Sequence, residues 1–441
     1  MLGRHALAAA LLPALAGCAH YTVNERLERF DPTRGYRFEN LERGPKNTDS
    51  LLVCLAFSGG GTRAAALAFS VLDQLRKTEI VWEGEKKTLL DEVDVVSGVS
   101  GGSFPALYYG LRGPAFFTDL PERLLERDLQ GEIEWKVVRN SWWLWADHHY
   151  RRSDLVQEIY DESIFDGATF AAMKSRPFVI VNATDLATGQ RFEFTQEAFD
   201  LLGSDLGPFP VARAAAASAA LPFAFSAITL RNHTQLEGPV PGFELPAAIH
   251  SALVGDDRRL HEWARLEARY VQGPDAPRYL HLCDGGTADN TGVRAIWTAL
   301  RREDGFLRKL VLRGAVKKLI VLQVNAQIDP LTGVGDGEAP PSIVGVTEKS
   351  ARISVNTQTF ETLQLLREDA EIRSPLAQAK VSLHVIDVGF DAIPDPGRRA
   401  KLLSIPTELR IEPADLGLVL AAGKEALEAS PDWKKLLVDL R

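Results

Sequence analysis

The apolar residues of this chain gather in short runs that alternate with segments of helical spacing. Leu51–Phe57 holds seven consecutive apolar residues, and Val93–Val96 and Leu319–Val324 are shorter, largely apolar runs. A strand that is apolar along its whole length is typical of a parallel sheet with helices on both faces. These runs therefore predict buried strands in an α/β fold.

Helices are predicted where apolar residues recur at intervals of three and four. Such spacing is present in 64–77, over the longer stretch 343–372 and in the amphipathic segments of 413–440. Another strand is predicted over 381–386, around His384. The C-terminal third is thus expected to complete the layers of the fold without chemistry of its own.

The first 17 residues differ from the rest because one basic residue, Arg4, precedes a short apolar run. The run is too short to span a bilayer, which takes about 20 apolar residues, and it predicts a signal peptide. Its end, Leu15–Cys18 (Leu-Ala-Gly-Cys), resembles the bacterial lipobox, in which the peptide is cut before the cysteine and the cysteine is lipidated. The alternative is an ordinary signal peptide with an incidental Cys18.

The lipobox interpretation makes Cys18 the lipid anchor of an exported protein. Alanine rather than aspartate follows Cys18, which by the same resemblance indicates the outer membrane of a bacterial envelope. We expect residues 18–50 to be a tether, because proline and glycine interrupt a charged stretch that lacks strand or helix periodicity. Residues 51–441 are expected to form the globular domain.

Composition narrows the classes of partner. A net charge of −9 without a basic cluster argues against a nucleic-acid partner. Cys54 and Cys283 lie in apolar runs, so two buried free thiols are favoured, although one disulfide is possible. No group of His, Cys, Asp and Glu has the spacing of metal ligands, so neither a metal nor another cofactor is predicted.

The run Gly98–Gly102 (Gly-Val-Ser-Gly-Gly) has the pattern Gly-x-Ser-x-Gly between a predicted strand and a predicted helix. This is the setting of a nucleophile elbow. The flanking glycines relieve crowding at a sharp turn, and the following helix directs unpaired N–H groups towards Ser100. Ser100 is therefore a candidate nucleophile, the alternative being a tight turn without chemistry.

A second glycine-rich turn, Ser58–Arg63 (Ser-Gly-Gly-Gly-Thr-Arg), follows the first apolar run. Its backbone N–H groups suit an anion, either a nucleotide phosphate or a reaction oxyanion. Because the Walker and dinucleotide spacings are absent, an oxyanion hole fits better than a nucleotide site. Its donors would be Gly59, Gly60 and Gly61, together with Gly101; a purely structural turn is the alternative.

A third motif, Asp284-Gly285-Gly286, places a carboxylate at the end of a predicted strand, where sites assemble in open α/β sheets. The three motifs, in this order, closely resemble the signature of patatin-like phospholipases, and the first two are most similar to the cytosolic phospholipase branch. The Ala/Ser-rich block 215–223 and the segments 182–185 and 192–195 are similar to further family features. The resemblance covers roughly residues 51–390. It implies a patatin-like three-layer α/β/α sandwich with a mainly parallel central sheet.

The resemblance also implies a function. It is that of a serine lipid acyl hydrolase, of phospholipase A or lysophospholipase type, with a Ser100–Asp284 dyad and an acyl-enzyme. The expected substrate is a phospholipid or another acyl-ester lipid, which the protein would reach at the membrane through lipidated Cys18. Arg63 is expected either to hold a substrate phosphate or to form a structural ion pair. The alternative function is a non-hydrolytic lipid-binding protein or a lipid acyltransferase on the same fold.

The sequence offers an independent test of a dyad against a triad. In the order Ser…Asp…His, a triad needs a histidine after Asp284, and only His384 follows it, inside a predicted strand. A triad is therefore disfavoured, with His281 and His384 left open.

Two stretches exceed what a minimal family member needs. Residues 134–152 hold Trp135, Trp142, Trp143 and Trp145 among basic residues, a mixture that suits either a membrane interface or a packed core. Residues 231–277, rich in glycine, proline and charge, are expected to form a lid-like insertion over the site.

Overall fold

The computed structural model describes residues 23–139, 152–221, 225–327 and 361–440. The strands in these ranges are β1 (Glu25–Arg26), β2 (Leu51–Phe57), β3 (Glu79–Trp82), β4 (Glu85–Thr88), β5 (Val93–Val99), β6 (Phe178–Asp185), β7 (Arg191–Glu193), β8 (Ser204–Asp205), β9 (Ile228–Arg231), β10 (Tyr279–Asp284), β11 (Lys318–Asn325) and β12 (Ser382–Gly389). The strands predicted from the apolar runs are all present.

The helices surround these strands. They are α1 (Gly61–Lys77), α2 (Ser103–Arg112), α3 (Phe116–Leu120), α4 (Leu129–Arg139), α5 (Arg152–Tyr160), α6 (Gln196–Leu201), α7 (Val211–Ser218), α8 (His233–Leu236), α9 (Ala247–Val254), α10 (Arg258–Val271), α11 (Val293–Arg301), α12 (Phe306–Leu312), α13 (Ala370–Gln378), α14 (Pro396–Ser404), α15 (Pro413–Ala429) and α16 (Pro431–Asp439).

One eight-stranded sheet forms the centre, in the order β12-β11-β2-β5-β6-β10-β9, with β7 also paired to β6. The five strands from β12 to β6 are parallel to their neighbours. The strands β10, β9 and β7 pair antiparallel at one side. The prediction of a mainly parallel sheet is confirmed.

Helices cover both faces of the sheet, because every residue of β2 and of β5 is buried. Helix α1 packs against α15 and α2, and α2 packs against α7, whereas α11, α12 and α13 form a second group. This arrangement is the predicted α/β/α sandwich. It follows from apolar strands that have no polar face to present to water.

The topology brings the three sequence motifs to one edge. The carboxyl ends of the parallel strands β2 and β5 lie side by side, and Ser58 and Ser100 directly follow them. Strand β10 runs in the opposite direction beside β6, and its last residue, Asp284, pairs with Ala183. Ser100 and Asp284 therefore meet although 184 residues separate them in the chain.

The expected tether over 18–50 needs correction in its described part. Residues Glu25–Arg26 pair with β8, and Tyr36 and Phe38 are buried in the main core. The Tyr36 hydroxyl accepts a hydrogen bond from the Val179 N–H at 2.8 Å, so this segment is fastened to β6. The sequence did not predict this packing, because the segment is mostly charged and packs through a few isolated aromatic residues rather than through a periodic pattern.

The long helical pattern 343–372 lies partly outside the described residues, and its described part is interrupted. Residues 361–368 are helical, but Asp369 leaves the helix and caps α13, accepting a hydrogen bond from the Glu371 N–H at 3.0 Å. The backbone N–H groups in the first turn of a helix have no partner within the helix, and an N-cap aspartate accepts a hydrogen bond from one of them. Asp369 therefore starts a new helix instead of continuing the previous one. The predicted helices after residue 413 are confirmed as α15 and α16.

Other predictions have mixed outcomes. Cys54 and Cys283 are buried free thiols, as favoured by the sequence. Cys18 and the cluster Trp142, Trp143 and Trp145 lie outside the described residues; Trp135, on α4, is 62% exposed. Within the described ranges, no helix combines the length and the hydropathy needed to cross a bilayer.

Candidate active site

Ser100 stands at a strained turn between β5 and α2. Its φ angle is 49°, in the left-handed region, which non-glycine residues rarely adopt. The turn has no room for larger neighbours, because a Cβ at Gly101 would collide with the Gly61 carbonyl oxygen. A strained backbone at a serine, rather than at a glycine, is typical of functional sites.

The carboxylate of Asp284 accepts a hydrogen bond from the hydroxyl of Ser100. The Ser100 Oγ donates to Asp284 Oδ2 at 2.8 Å, and the Gly286 N–H donates to Oδ1 at 2.8 Å. Burial raises the pKa of the Asp284 carboxyl to about 6, although these two hydrogen bonds partly oppose the rise. Asp284 can therefore accept a proton near neutral pH, where its ordinary counterpart would be a weaker base.

A layer of polar contacts fixes the serine's backbone. The Ser100 N–H donates to Ser218 Oγ at 2.8 Å, and Ser218 Oγ donates in turn to the main-chain carbonyl of Asn182 at 2.7 Å. The side-chain amide of Asn182 donates to the Gly98 carbonyl at 2.9 Å, on the other side of the turn. The Ala/Ser-rich block thus has a physical role that its sequence did not reveal, since Ser218 binds the backbone of the nucleophile.

A similar layer fixes the carboxylate. The Thr184 Oγ1 donates to the Asp284 carbonyl at 2.8 Å, and the Asp284 N–H donates to the Ala220 carbonyl at 2.9 Å. Both main-chain groups of Asp284 are therefore paired. The side chain is held at the serine by its own backbone and not only by the hydrogen bond between them.

The glycine loop supplies fewer candidate donors than expected. The Gly59 N–H donates to the Asn290 carbonyl at 2.9 Å, so the assignment of Gly59 to the oxyanion hole needs correction. Gly60 and Gly61 have φ angles of 140° and 61°, conformations that favour glycine. Among the described residues, the N–H groups of Gly60, Gly61 and Gly101 have no backbone acceptor, which leaves them as candidate donors.

Arg63 has a structural environment. The side chain is 2% exposed, and Nε donates to the Ala326 carbonyl at 3.0 Å. Its other nitrogens donate to the Ile405 carbonyl and, at 3.1 Å, to Thr407 Oγ1. A guanidinium buried among protein oxygens is already committed, so the expectation of a phosphate-binding Arg63 needs correction in favour of the structural alternative.

Asn290 is a site residue that sequence reasoning missed. A Cβ on Gly59 would collide with Asn290 Oδ1 and would lie 3.2 Å from Ser100 Cβ. A Cβ on Gly286 would lie 2.7 Å from Asn290 Oδ1 and 3.0 Å from Asp284 Oδ1. The half-buried Asn290 amide therefore lies between the glycine loop and the dyad, and no described residue hydrogen-bonds to its side chain. The signal was the polar run Asp289-Asn290-Thr291 directly after the Asp-Gly-Gly motif.

The histidines left open by the sequence lie elsewhere. His384 Nε2 is 3.3 Å from Asp439 Oδ2, and the His281 ring hydrogen-bonds Thr229 at 3.0 Å. In the described part of the chain, no histidine hydrogen-bonds to Ser100 or Asp284; His148 and His149 lie outside it.

The insertion 231–277, expected to be lid-like, is helical, and its position over the site stays a prediction. It folds into α8, α9 and α10, and α10 packs against α9, α8 and α6. It walls a cavity of about 390 Å³ whose lining includes Trp263 and Arg191, but neither member of the dyad. The length of the insertion predicted a wall, whereas its position depended on the β9–β10 pairing that the sequence did not specify.

Comparison with known proteins gives one family and several similar structures. The profile of the patatin-like phospholipase family matches residues 55–297, just over half of the chain. The structure of human GIVD cytosolic phospholipase A2 is similar with a TM-score of 0.47 and 13% identity, over 89% of this chain and 62% of that one. VipD from Legionella pneumophila is similar with a TM-score of 0.30 and 10% identity, over 97% of this chain and 73% of that one. The chain thus spans less than two thirds of the human protein's length, and no curated protein matches its sequence.

Proposed function

Because the chain belongs to the patatin-like phospholipase family, we propose that it hydrolyses carboxylic esters of glycerolipids. The observation that carries this proposal is the 2.8 Å hydrogen bond from the strained Ser100 to the buried carboxylate of Asp284. A hydroxyl becomes a nucleophile when an adjacent base can take its proton. The proposed class is phospholipase A or lysophospholipase, acting through a Ser–Asp dyad.

The first half of the reaction forms an acyl-enzyme. Asp284 Oδ2 takes the Ser100 proton while Oγ bonds to the ester carbonyl carbon, giving a tetrahedral oxyanion. The carbon–oxygen bond to the glycerol part then breaks, and the leaving alcohol takes the proton from Asp284. The fatty acyl group remains on Ser100.

The second half releases the fatty acid. Asp284 takes a proton from water as the water oxygen attacks the acyl carbonyl carbon. The bond to Ser100 Oγ breaks, and the proton on Asp284 returns to that oxygen. A dyad suffices for this cycle because one carboxylate serves as base and then as acid in each half.

The oxyanion is stabilised by the backbone N–H groups of Gly60, Gly61 and Gly101, which replaces the earlier expectation that included Gly59. We add the Asn290 amide as a further donor, since it lies beside the dyad without a partner among the described residues. One such donor typically stabilises the transition state by about 3–4 kcal/mol.

Membrane attachment is proposed through Cys18. The support is the Leu15–Cys18 sequence, which resembles a lipobox, and the proposed address is the bacterial outer membrane. Cys18→Ser is expected to leave an uncut or soluble precursor on membrane fractionation. Detergent-dependent anchoring that is unchanged in this variant would contradict the assignment.

The reaction is tested by incubating the purified chain with a lipid mixture and identifying the products by mass spectrometry. Free fatty acids and lysolipids from the wild type, but not from Ser100→Ala, are expected. Transfer of acyl groups to another lipid without free fatty acid would favour an acyltransferase. A protein that binds lipid but leaves every ester intact would contradict the proposed hydrolase.

A further inference from the structure

The strands β9 and β10 form a two-stranded ribbon that extends beyond the rest of the sheet. The last three residues of β10, Leu282–Asp284, pair with β6, whose last residue is Asp185. The first half of β10, from Tyr279, pairs with β9 alone. Because Ser100 follows β5 and β5 runs parallel to β6, the ribbon projects from the same edge of the sheet that carries Ser100.

One face of this ribbon is buried and the other is open. Leu280 and Leu282 are buried together with Ile228 and Leu230 opposite them. On the other face Tyr279 is 46% exposed and pairs with Arg231, and His281 pairs with Thr229. Alternation of this kind is expected for a strand with one face in the core, and it leaves an aromatic and a basic side chain outward.

The open face continues into two exposed leucines. The Leu186 N–H donates to the His281 carbonyl at 2.9 Å, and the side chain of Leu186 is 60% exposed. Leu221, 49% exposed, follows Ala220, whose carbonyl accepts the Asp284 N–H. Leu186 thus adjoins the ribbon, and Leu221 adjoins the backbone that holds Asp284.

The charge on this face is opposite to that of the whole chain. Arg231 is exposed and forms no ion pair with a carboxylate of the described residues, whereas Arg278, which stands opposite buried Asn232, falls by the alternation of the strand on the face of Leu280. The complete chain has a net charge of −9. An arginine without an acidic partner, beside an exposed tyrosine and leucine, suits a surface that meets anionic lipid headgroups.

We infer that Leu186, Arg231 and Tyr279, here called the ribbon face, dock the protein on an anionic phospholipid bilayer with the Ser100 edge towards the lipid. The inference rests on the proposed function, because the ester to be cleaved would lie in that bilayer. A lipid surface fits the ribbon face better than a protein partner, since the ribbon projects from the edge of the sheet at which a lipid ester must reach Ser100. The docking does not depend on Cys18, whose lipidation is a separate proposal.

Vesicle binding tests the inference in full-length protein carrying Cys18→Ser and Ser100→Ala, so that neither an anchor nor hydrolysis interferes. The probes are vesicles of phosphatidylcholine alone and vesicles that also contain phosphatidylglycerol. Leu186→Ser with Tyr279→Ser should weaken binding to both by on the order of tenfold, because apolar area no longer leaves water. Arg231→Gln should weaken binding only to the anionic vesicles, by about fivefold.

The matched control is Leu312→Ser with Val438→Ser, since these side chains are 61% and 71% exposed but lie outside the ribbon face. Control binding should change by less than about twofold, within the usual effect of a surface substitution. Equal binding by the ribbon variants and their parent, or an equal loss in the control, would overturn the inference.

A soluble short-chain ester separates this inference from the proposed function. With Ser100 restored, the ribbon variants should hydrolyse that ester like the wild type while losing activity on anionic vesicles. Failure of the wild type on every ester would contradict the hydrolase but leave the binding result readable. An equal loss on soluble ester and vesicles would show that the ribbon acts on the site itself and would overturn docking.

Discussion

Two serines, Ser58 and Ser100, occupy equivalent positions between a strand and the helix that follows it. Ser58 directly follows β2 and precedes α1, and Ser100 directly follows β5 and precedes α2. The two strands are parallel neighbours, and both serines are followed by two glycines. By sequence pattern alone, each is a serine at a strand–turn–helix junction.

The two turns place their left-handed residues differently. In the first turn Gly60 and Gly61 have positive φ angles, so the strain falls on residues without a Cβ. In the second turn Ser100 itself has a positive φ, at 49°. Strain at a non-glycine residue persists only where surrounding contacts fix it, which here include the hydrogen bond from its N–H to Ser218.

The two hydroxyls also differ in their partners. Ser58 Oγ donates to the Gly59 carbonyl at 3.1 Å and accepts from the Ala326 N–H at 2.9 Å. Ser100 Oγ donates to a carboxylate instead. A serine bound to main-chain groups is a structural element of its loop, whereas a serine bound to a base can lose its proton. The hydrogen-bond partner of the hydroxyl, and not the strand–turn–helix junction, therefore distinguishes the candidate nucleophile.

Removing either member of the dyad should separate the two serines most strongly. Ser100→Ala and Asp284→Asn are each expected to lower kcat by on the order of 10⁴-fold or more, because both act in one proton transfer. Ser58→Ala is the matched control and should keep activity of the same order as the wild type. Circular dichroism should show all three variants folded; comparable losses in Ser58→Ala and Ser100→Ala would contradict the distinction.

The next largest effect is expected at Asn290, whose side chain lies beside Gly59 on one side and Gly286 on the other. Asn290→Ala should lower kcat by roughly 10²-fold with KM nearly unchanged, since an oxyanion donor acts mainly in the transition state. The hydrogen bond from the Gly59 N–H should survive in this variant, because its acceptor is the main-chain carbonyl of residue 290. A rise in KM with kcat unchanged would instead assign Asn290 to substrate binding.

The pH dependence should follow Asp284. Its pKa is raised to about 6, and the base must be ionised, so kcat/KM should fall close to tenfold for each pH unit below that value. The rate should level off above it. The loss must occur while the protein stays folded at the same pH, as near-ultraviolet circular dichroism can check. An acid limb near the ordinary aspartate value would contradict a buried Asp284 base.

The smallest effect concerns stability and compares glycine with alanine at each serine. Both substitutions remove Oγ, but only glycine tolerates φ of 49° without strain. Ser100→Gly should therefore be more stable than Ser100→Ala by about 1 kcal/mol. Ser58 lacks a positive φ, so Ser58→Gly should be no more stable than Ser58→Ala in urea denaturation. Equal differences at both sites would argue against strain confined to Ser100.

The sequence predicted the strands that support this site and its two candidate catalytic residues. The run Leu51–Phe57 is β2, residue for residue, because uninterrupted apolar strands have few other solutions in a covered parallel sheet. Local patterns also identified Ser100 and Asp284 as candidates, and the fold brings them together. Each of these predictions depends on residues that are close together in the sequence.

The rest depended on contacts between distant segments. Arg63 is tied to residues 326 and 405–407, and the Gly59 N–H is taken by Asn290, neither of which a local pattern contains. The packing of Tyr36 onto β6 is of the same kind. Such long-range partners decide whether a donor remains available for chemistry, and periodicity gives no information about them.

Covalent labelling can identify the serine that Asp284 activates, which we assign to Ser100. The protein is incubated with an alkyl fluorophosphonate, a reagent that reacts with activated serine hydroxyls, and the adduct is located by peptide mass spectrometry. We predict one adduct, on the peptide containing Ser100, absent in Ser100→Ala, strongly slowed in Asp284→Asn and unchanged in Ser58→Ala. An adduct on Ser58 or another serine, or ester hydrolysis that persists without labelling of Ser100, would contradict the account.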